Sequence, residues 1–376
     1  MSATPAVKAD VVKLPTLADR PLRIAPRKNG LRIAQVAPLS ESVPPKLYGG
    51  TERVVATLCD ELVRQGHDVT LFASGDSNTD AKLVAACPSA LRLSQSPDPL
   101  AVHLHMIEKM AQRADEFDII HFHVAPLHFS IARRLRTPHV TTLHGRLDLA
   151  PIEPLYSEFS EQPMVSVSDA QRAPLPHQNW VATVYHGLPA RELSFRPEAG
   201  TYLAFLGRIA REKRPDRAIA IAKACGCHLK IAAKVDPADV DYFTREIEPL
   251  LDDPLVEFIG EINESQKGEF LGHARALLFP IDWPEPFGLV MIESLACGTP
   301  VVAFRGGSVG EVIEHGVTGF VVDDLDQAVT ATKQVDALDR RACRQAFDER
   351  FSATRMADDY LKVYTRLMGV AANVGH

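Results

Sequence analysis

The residue types and spacings best suited to chemistry in this chain lie in WPEPFGLVMIESLACGTPVV, residues 283–302. Glu285 falls in a loop and Glu293 about a turn and a half into the helix that follows, so both carboxylates face one crevice at different depths. Carboxylates accept hydrogen bonds from vicinal hydroxyls, which suits a sugar or a ribose, and the free N–H groups at a helix start suit a phosphate. Gly288 lets the backbone approach a ligand there. The bland alternative makes Glu285 a helix cap and Glu293 a surface residue. A second set lies in FLGRIAREKRPDR, residues 205–217. Arg208 directly follows a strand, and Lys213 precedes the helix that Pro215 starts, so both cations project over the crevice. Such a pair would neutralise a pyrophosphate without a metal, Arg as a rigid fork and Lys as a mobile point charge. Arg211 and Arg214 read as solvated. The third set is histidine: His121 and His123 alternate onto one face of a strand and His128 follows five residues later, a zinc-ligand arrangement. No downstream Cys or His has ligand spacing, and the competing reading is packing.

The elements that would position these groups are short apolar strands, several of them separated by helical stretches. LRIAQVAP reads as a buried strand, YGG as a turn, and TERVVATLCDELVRQ as a helix with Val54, Val55, Leu58 and Leu62 on one face, stopped at Gly66. VTLFA, DIIHFH, HVTTLH and MVSVSD follow as strands, with LHFSIARRLR helical between two of them. The rhythm restarts at Tyr202 with YLAFLGR, the helix PDRAIAIAKACG, then HLKIAAK, VEFIG, ALLFP, the helix GLVMIESLACG and VVAF. This predicts an α/β protein of two doubly wound parallel sheets, each covered on both faces, with YHGLPARELSFRPEAG (185–200) as the boundary. Ligand belongs at the carboxyl ends of the strands, in a cleft between the sheets.

Composition removes other classes. At 376 residues and 46% hydrophobic, the chain fills two cores, and a net charge of −7 argues against a protein that binds the nucleic-acid backbone. No run of eighteen apolar residues and no secretory h-region are present, so neither a membrane span nor export is expected. The Arg133, Arg134 and Arg136 patch would support weak peripheral membrane contact at most. Six cysteines without CxxC spacing read as thiols of a reducing, cytoplasmic compartment. Residues 1–30 mix four prolines with six Lys/Arg and two Asp and read as a mobile basic leader. Trp283 either stacks on a sugar or packs beside its prolines. The Asp-x-Asp at Asp324 and Asp326 lies too late in the chain for a catalytic metal.

Arg208 with Lys213, the Glu285-x7-Glu293 pair in EPFGLVMIE, GGSVGEVIEHGVTGFVV (306–322) and YGGTERVV (48–55) together resemble family-4 retaining glycosyltransferases of GT-B fold, over about residues 31–368. The resemblance implies two Rossmann-like domains facing a cleft: an acceptor domain over 31–190, a donor domain over 191–352, and a C-terminal helix (353–376) returning to the first. Arg208 and Lys213 would hold the diphosphate of a nucleotide-sugar, Glu293 the ribose, and Glu285 with the backbone of Phe287, Gly288 and Leu289 the sugar. Gly49 and Gly50 would approach from the opposite domain, and His144 would stand near the reacting sugar. His121 and His123 would line the acceptor side. The implied reaction moves a hexose, with retention, from a UDP-glucose-like or GDP-mannose-like donor to a saccharide, lipid-linked glycan or small-metabolite hydroxyl. The donor is a substrate, so no cofactor and no metal are expected. Two alternatives remain: a GT-B sugar-nucleotide epimerase or hydrolase, and a zinc-dependent hydrolase using His121 and His123. A non-catalytic sugar-binding relative fits less well, since the donor-side charges are all present.

Overall fold

The computed structural model describes residues 30–46, 49–94, 96–149 and 152–374. Apart from Gly30, the leader expected over 1–30 lies outside the described residues, as does Tyr48 of the YGG turn. The first sheet has seven strands: β1 (Arg32–Val36), β2 (Asp68–Ala73), β3 (Lys82–Ala85), β4 (Ile119–Phe122), β5 (His139–Thr142), β6 (Met164–Ser166) and β7 (Trp180–Thr183). All pairings are parallel, in the order β3-β2-β1-β4-β5-β6-β7. The second sheet has six: β8 (Tyr202–Ile209), β9 (Leu229–Val235), β10 (Val256–Gly260), β11 (Ala274–Phe279), β12 (Val301–Phe304) and β13 (Gly319–Val322). It repeats the pattern as β10-β9-β8-β11-β12-β13, again all parallel. Strand order reverses between β1 and β4 in one sheet and between β8 and β11 in the other. These are the switch points at which open α/β sheets leave a crevice.

Each sheet is buried on both faces, which is why its strands read as apolar runs. On one face of the first sheet, Ile33 packs with Val54, Val55, Leu58 and Leu62 of the helix Gly50–Arg64. The helix Ala353–Val374 covers the same face, contributing Met356, Tyr360 and Tyr364. The other face packs Val36 and Phe122 against Met106 and Met110 of the helix Pro99–Ala111. One element is shorter than its pattern predicts. LHFSIARRLR is α-helical only over Phe129–Ala132. Tighter turns follow, with Arg134 N–H donating to Ile131 O at 2.9 Å and Leu135 N–H to Ala132 O at 3.0 Å. Pro138, directly before β5, disfavours helix at Thr137.

The two domains are joined by specific polar contacts as well as by the returning helix. The Glu311 carboxylate accepts from the N–H groups of Asp169 (2.7 Å) and Ala170 (2.8 Å), capping a short helix of the first domain, and from the Tyr185 hydroxyl at 3.0 Å. Ser168 Oγ donates to Pro286 O at 2.7 Å, tying the first domain to the loop that carries Glu285. Asp324, half of the Asp-x-Asp pair, is the N-cap of the helix Leu325–Gln334.

Candidate active site

The C-terminal wall of the cleft is built from the ends of β8 and β11. Arg208 is the penultimate residue of β8 rather than the one after it, and Lys213 lies in the turn Arg211–Lys213 just before the helix Pro215–Cys225. After β11 the chain runs through Trp283 to Glu285 and enters the helix Leu289–Ala296 at Gly288. Gly288 adopts φ +78°, a conformation that favours glycine, and a Cβ there would also lie 2.8 Å from Met291 Cε. Glu285 is buried, ion-paired with Lys213, and accepts from Trp283 Nε1 at 3.0 Å. The Lys213 ammonium also sits 4.6 Å from the Trp283 ring centroid. Trp283 therefore orients the carboxylate and the cation together.

Residues 306–308 hold that loop from behind. Ser308 N–H donates to Glu285 O at 3.0 Å and Ser308 Oγ to Phe287 O at 2.7 Å. Gly307 has φ +53°, and a Cβ on it would stand 2.1 Å from Glu285 O. Only glycine allows this approach.

Glu293, the second carboxylate, is 2% exposed and fully engaged in charge pairing. Arg53, from the first turn of the Gly50–Arg64 helix in the opposite domain, pairs with it and reaches Glu264 at 2.7 Å. Lys267 Nζ lies 3.1 Å from Glu293 and 2.5 Å from Glu264. Two cations and two carboxylates thus form a balanced cluster that crosses the cleft. Burial, with Arg53 beside it, pulls the Lys267 ammonium down to about 8. Arg208 is likewise occupied, with Glu212 at 2.6 Å, Asp239 at 3.1 Å and Asp236 at 3.8 Å. A diphosphate reaching Arg208 must compete with these carboxylates.

Apart from Arg53, the N-terminal wall is neutral. His144 follows β5 and stacks on His186, centroids 5.3 Å apart, and burial pushes its pKa down to about 3. His144 Nε2 lies 2.8 Å from His123 Nδ1, while no protein group pairs with His144 Nδ1. His121 and His123 do not line the cavity, against the expectation for the acceptor side. Their shared strand face points into the core beneath the C-terminal helix, where His121 meets the Tyr364 hydroxyl (2.8 Å) and Thr142 Oγ1 (2.7 Å). His128 lies on the opposite face of the sheet, stacked on Phe122 at 4.0 Å and bonded to Thr141 at 2.8 Å. The three histidines do not converge, so the zinc-hydrolase reading finds no ligand set in them. Among the described residues no group of three His, Cys, Asp or Glu is arranged to hold a metal.

The walls enclose a cavity of about 380 Å³. Gly49, Gly50, His144, Arg208, Lys213, Glu285, Phe287, Gly288, Leu289 and Glu293 all line it. Two helix N-termini, at Gly49–Gly50 and at Gly288–Leu289, open into it from opposite domains, a geometry suited to an anion. Sequence reasoning missed Arg53, Glu264, Lys267 and His186, which line the same cavity. Arg53 stood within the YGGTERVV motif, and its signal was a cation one turn after a Gly-Gly helix start.

Comparison with known proteins agrees with this geometry. The sequence profile of Glycosyltransferase Family 4 matches residues 48–243, and that of Glycosyl transferases group 1 matches residues 190–351. An uncharacterized glycosyltransferase of Methanocaldococcus jannaschii is 25% identical over 77% of this chain and 85% of its own. The crystal structure of AviGT4, a glycosyltransferase involved in avilamycin A biosynthesis, matches with TM-score 0.68 and 25% identity over 90% of this chain and 98% of that one. HepE of Anabaena, solved in complex with UDP-glucose, matches with TM-score 0.67 and 16% identity over 89% of this chain and 100% of that one. With two facing Rossmann-like domains, a charged cleft between them and a family profile spanning more than half its length, this chain belongs to glycosyltransferase family 4 and has the GT-B fold.

Proposed function

We propose that the protein is a retaining hexosyltransferase that moves a hexose from a UDP-glucose-like or GDP-mannose-like donor to a hydroxyl of a saccharide, lipid-linked glycan or small metabolite. The observation that carries this reading is the convergence of Arg208, Lys213 and two helix N-termini on one cavity that also holds Glu285 and Glu293. Cations and N–H dipoles suit a diphosphate, and the carboxylates suit the hydroxyls on either side of it. UDP is favoured over GDP because the fold relative HepE binds UDP-glucose.

In this reading the bond from the anomeric carbon to the diphosphate oxygen breaks as the acceptor oxygen approaches the same face. The acceptor proton passes to the departing phosphate oxygen. Lys213, Arg208 and the N–H groups after Gly288 stabilise the charge that builds on the diphosphate, without a metal. Glu285, held by Lys213 and Trp283, binds the sugar rather than attacking it. Glu293 meets the ribose after Arg53 yields, and His144 stands beside the sugar. His123 acts from behind His144. All six cysteines are free thiols, in keeping with work in the cytoplasm, and no helix among the described residues is long and apolar enough to cross a membrane.

Thermal unfolding with UDP, UDP-glucose, GDP and GDP-mannose, each with EDTA or Mg²⁺, tests the reading. One nucleotide should raise the midpoint equally in EDTA and in Mg²⁺, and Arg208→Ala and Glu293→Ala should each abolish the shift. No shift with any nucleotide overturns the donor site. Steady release of free hexose or of an epimer without acceptor would instead identify a hydrolase or epimerase. A covalent glycosyl adduct on the enzyme would replace the same-face route with a double displacement.

A further inference from the structure

Behind His144 runs an unbroken chain of buried neutral groups. His144 Nε2 meets His123 Nδ1 at 2.8 Å, and His123 Nε2 meets Gln35 Oε1 at 2.9 Å. Gln35 Nε2 donates to the Tyr364 hydroxyl at 3.1 Å, which meets His121 Nδ1 at 2.8 Å. His121 Nε2 reaches Thr142 Oγ1 at 2.7 Å, and Thr142 the Tyr360 hydroxyl at 2.9 Å. Gln35, His121, Thr142, Tyr360 and Tyr364 are each at most 1% exposed. Burial holds His121 and His123 well below the usual imidazole range, so each carries a single ring proton.

A neutral imidazole donates from either nitrogen, and a hydroxyl donates or accepts. Only the primary amide of Gln35 has chemically distinct ends, an oxygen that only accepts and a nitrogen that only donates. Its orientation therefore dictates which ring nitrogen of His123, and through it of His144, carries the proton. With Gln35 Oε1 toward His123, the His123 proton is on Nε2 and its Nδ1 is an acceptor. That acceptor takes the His144 proton from Nε2, and the remaining ring nitrogen of His144, Nδ1, is a bare lone pair without a protein partner.

We propose that Gln35 is a positioning residue that sets the tautomer of His144: acting through His123, it commits the His144 proton to Nε2 and leaves Nδ1, buried in the unliganded protein, to accept a hydrogen bond from a hydroxyl of the bound sugar once the neighbouring side chains make room. The second half of this statement rests on the placement of His144 beside the sugar in the proposed function; the first half stands on the buried chain alone. The selectivity follows from chemistry. A lone pair takes a hydroxyl donor and rejects a group that offers only acceptors.

Long-range ¹H–¹⁵N correlation spectra of ¹⁵N-histidine-labelled protein read tautomers directly and need no substrate. Signals are assigned with His144→Asn and His123→Asn. The wild type should show both histidines protonated on Nε2. Gln35→Glu, which keeps only acceptors at this position, should preserve that pattern, while Gln35→Met should give His144 a mixed or reversed tautomer. A cooperative melting transition in each variant separates this readout from loss of fold. An Nδ1-protonated His144 in the wild type, or an unchanged tautomer in folded Gln35→Met, overturns the proposal. With UDP-glucose as the probe, Gln35→Met should lower turnover about tenfold, the cost of one weakened hydrogen bond to substrate, and Gln35→Glu should not. A reversed tautomer with unchanged turnover would uphold the role of Gln35 and overturn the placement of His144 beside the sugar.

Discussion

The two walls of the cleft solve the problem of holding polar groups in opposite ways. The C-terminal wall is ionic. Lys213 faces Glu285, Arg208 faces Glu212 and Asp239, and Lys267 faces Glu264 and Glu293. Apart from Arg53, the N-terminal wall is neutral, its histidines, hydroxyls and one amide joined in series beneath the returning helix. An ionic wall can exchange its internal partners for a ligand's charges, because each ion stays paired throughout. A neutral wall has nothing to exchange and fixes atoms by direction alone. The ionic pairs thus gather on the C-terminal domain, joined across the cleft by Arg53, while the neutral chain belongs to the N-terminal domain.

Breaking the ionic wall should have the largest effect. Lys213→Met removes a cation that the proposed function places at the departing diphosphate and leaves Glu285 buried without its ion-pair partner. Transfer rate should fall by about 10²–10³-fold, measured by nucleotide release, an amount typical for losing one charge-stabilising donor. Gly307→Ala tests the support behind that wall, since its Cβ would collide with the Glu285 backbone. It should destabilise the protein by about 2–3 kcal/mol in chemical denaturation, from strain at a positive φ and the displaced loop.

The neutral wall should show itself through pH. The folded-state pKa of His144 is depressed to about 3 against an unfolded value near 6.5. The unfolded chain therefore binds more protons between these limits, and stability is full above pH 6.5 and is lost as pH falls toward 3. Each such histidine contributes a slope of at most about 1.4 kcal/mol per pH unit. Denaturation midpoints measured from pH 7 to pH 5 should fall, and His144→Asn should flatten the slope. The smallest effect concerns Lys267. Because it deprotonates near pH 8, the Arg53–Lys267–Glu264–Glu293 cluster turns net negative above that pH and repels an anionic donor. Nucleotide affinity should weaken about threefold between pH 7 and pH 9 by calorimetry, roughly 0.7 kcal/mol, and Lys267→Met should erase that dependence.

The parallel sheets, and the residues that line the cleft from the C-terminal domain, were legible because their signals are local. Glu285, Gly288 and Glu293 belong to one loop-helix unit, and Arg208 and Lys213 to one strand-turn unit, so spacing places each set. Arg53 and Lys267 were not legible as site residues. Isolated cations on helices look solvated, and only the meeting of two domains brings Arg53 to Glu293. The alternation of His121 and His123 correctly put them on one face. It could not say whether that face meets ligand or core, since the answer comes from Tyr360 and Tyr364 of a helix more than 200 residues away. His128 lay beyond the end of β4, where strand periodicity no longer holds, and the chain there turns to the opposite face.

The returning helix has a consequence for synthesis. Met356, Tyr360 and Tyr364 fill the core beside Ile33 and Leu58, so the first half of the polypeptide lacks part of its interior until the ribosome has passed residue 364. Domains ordinarily fold in turn as they emerge, but here the N-terminal sheet must wait for the C-terminal domain to be completed. A nascent chain stalled before residue 353 would expose that apolar face and the unpartnered polar atoms of Gln35 and His121 to the cell's chaperones.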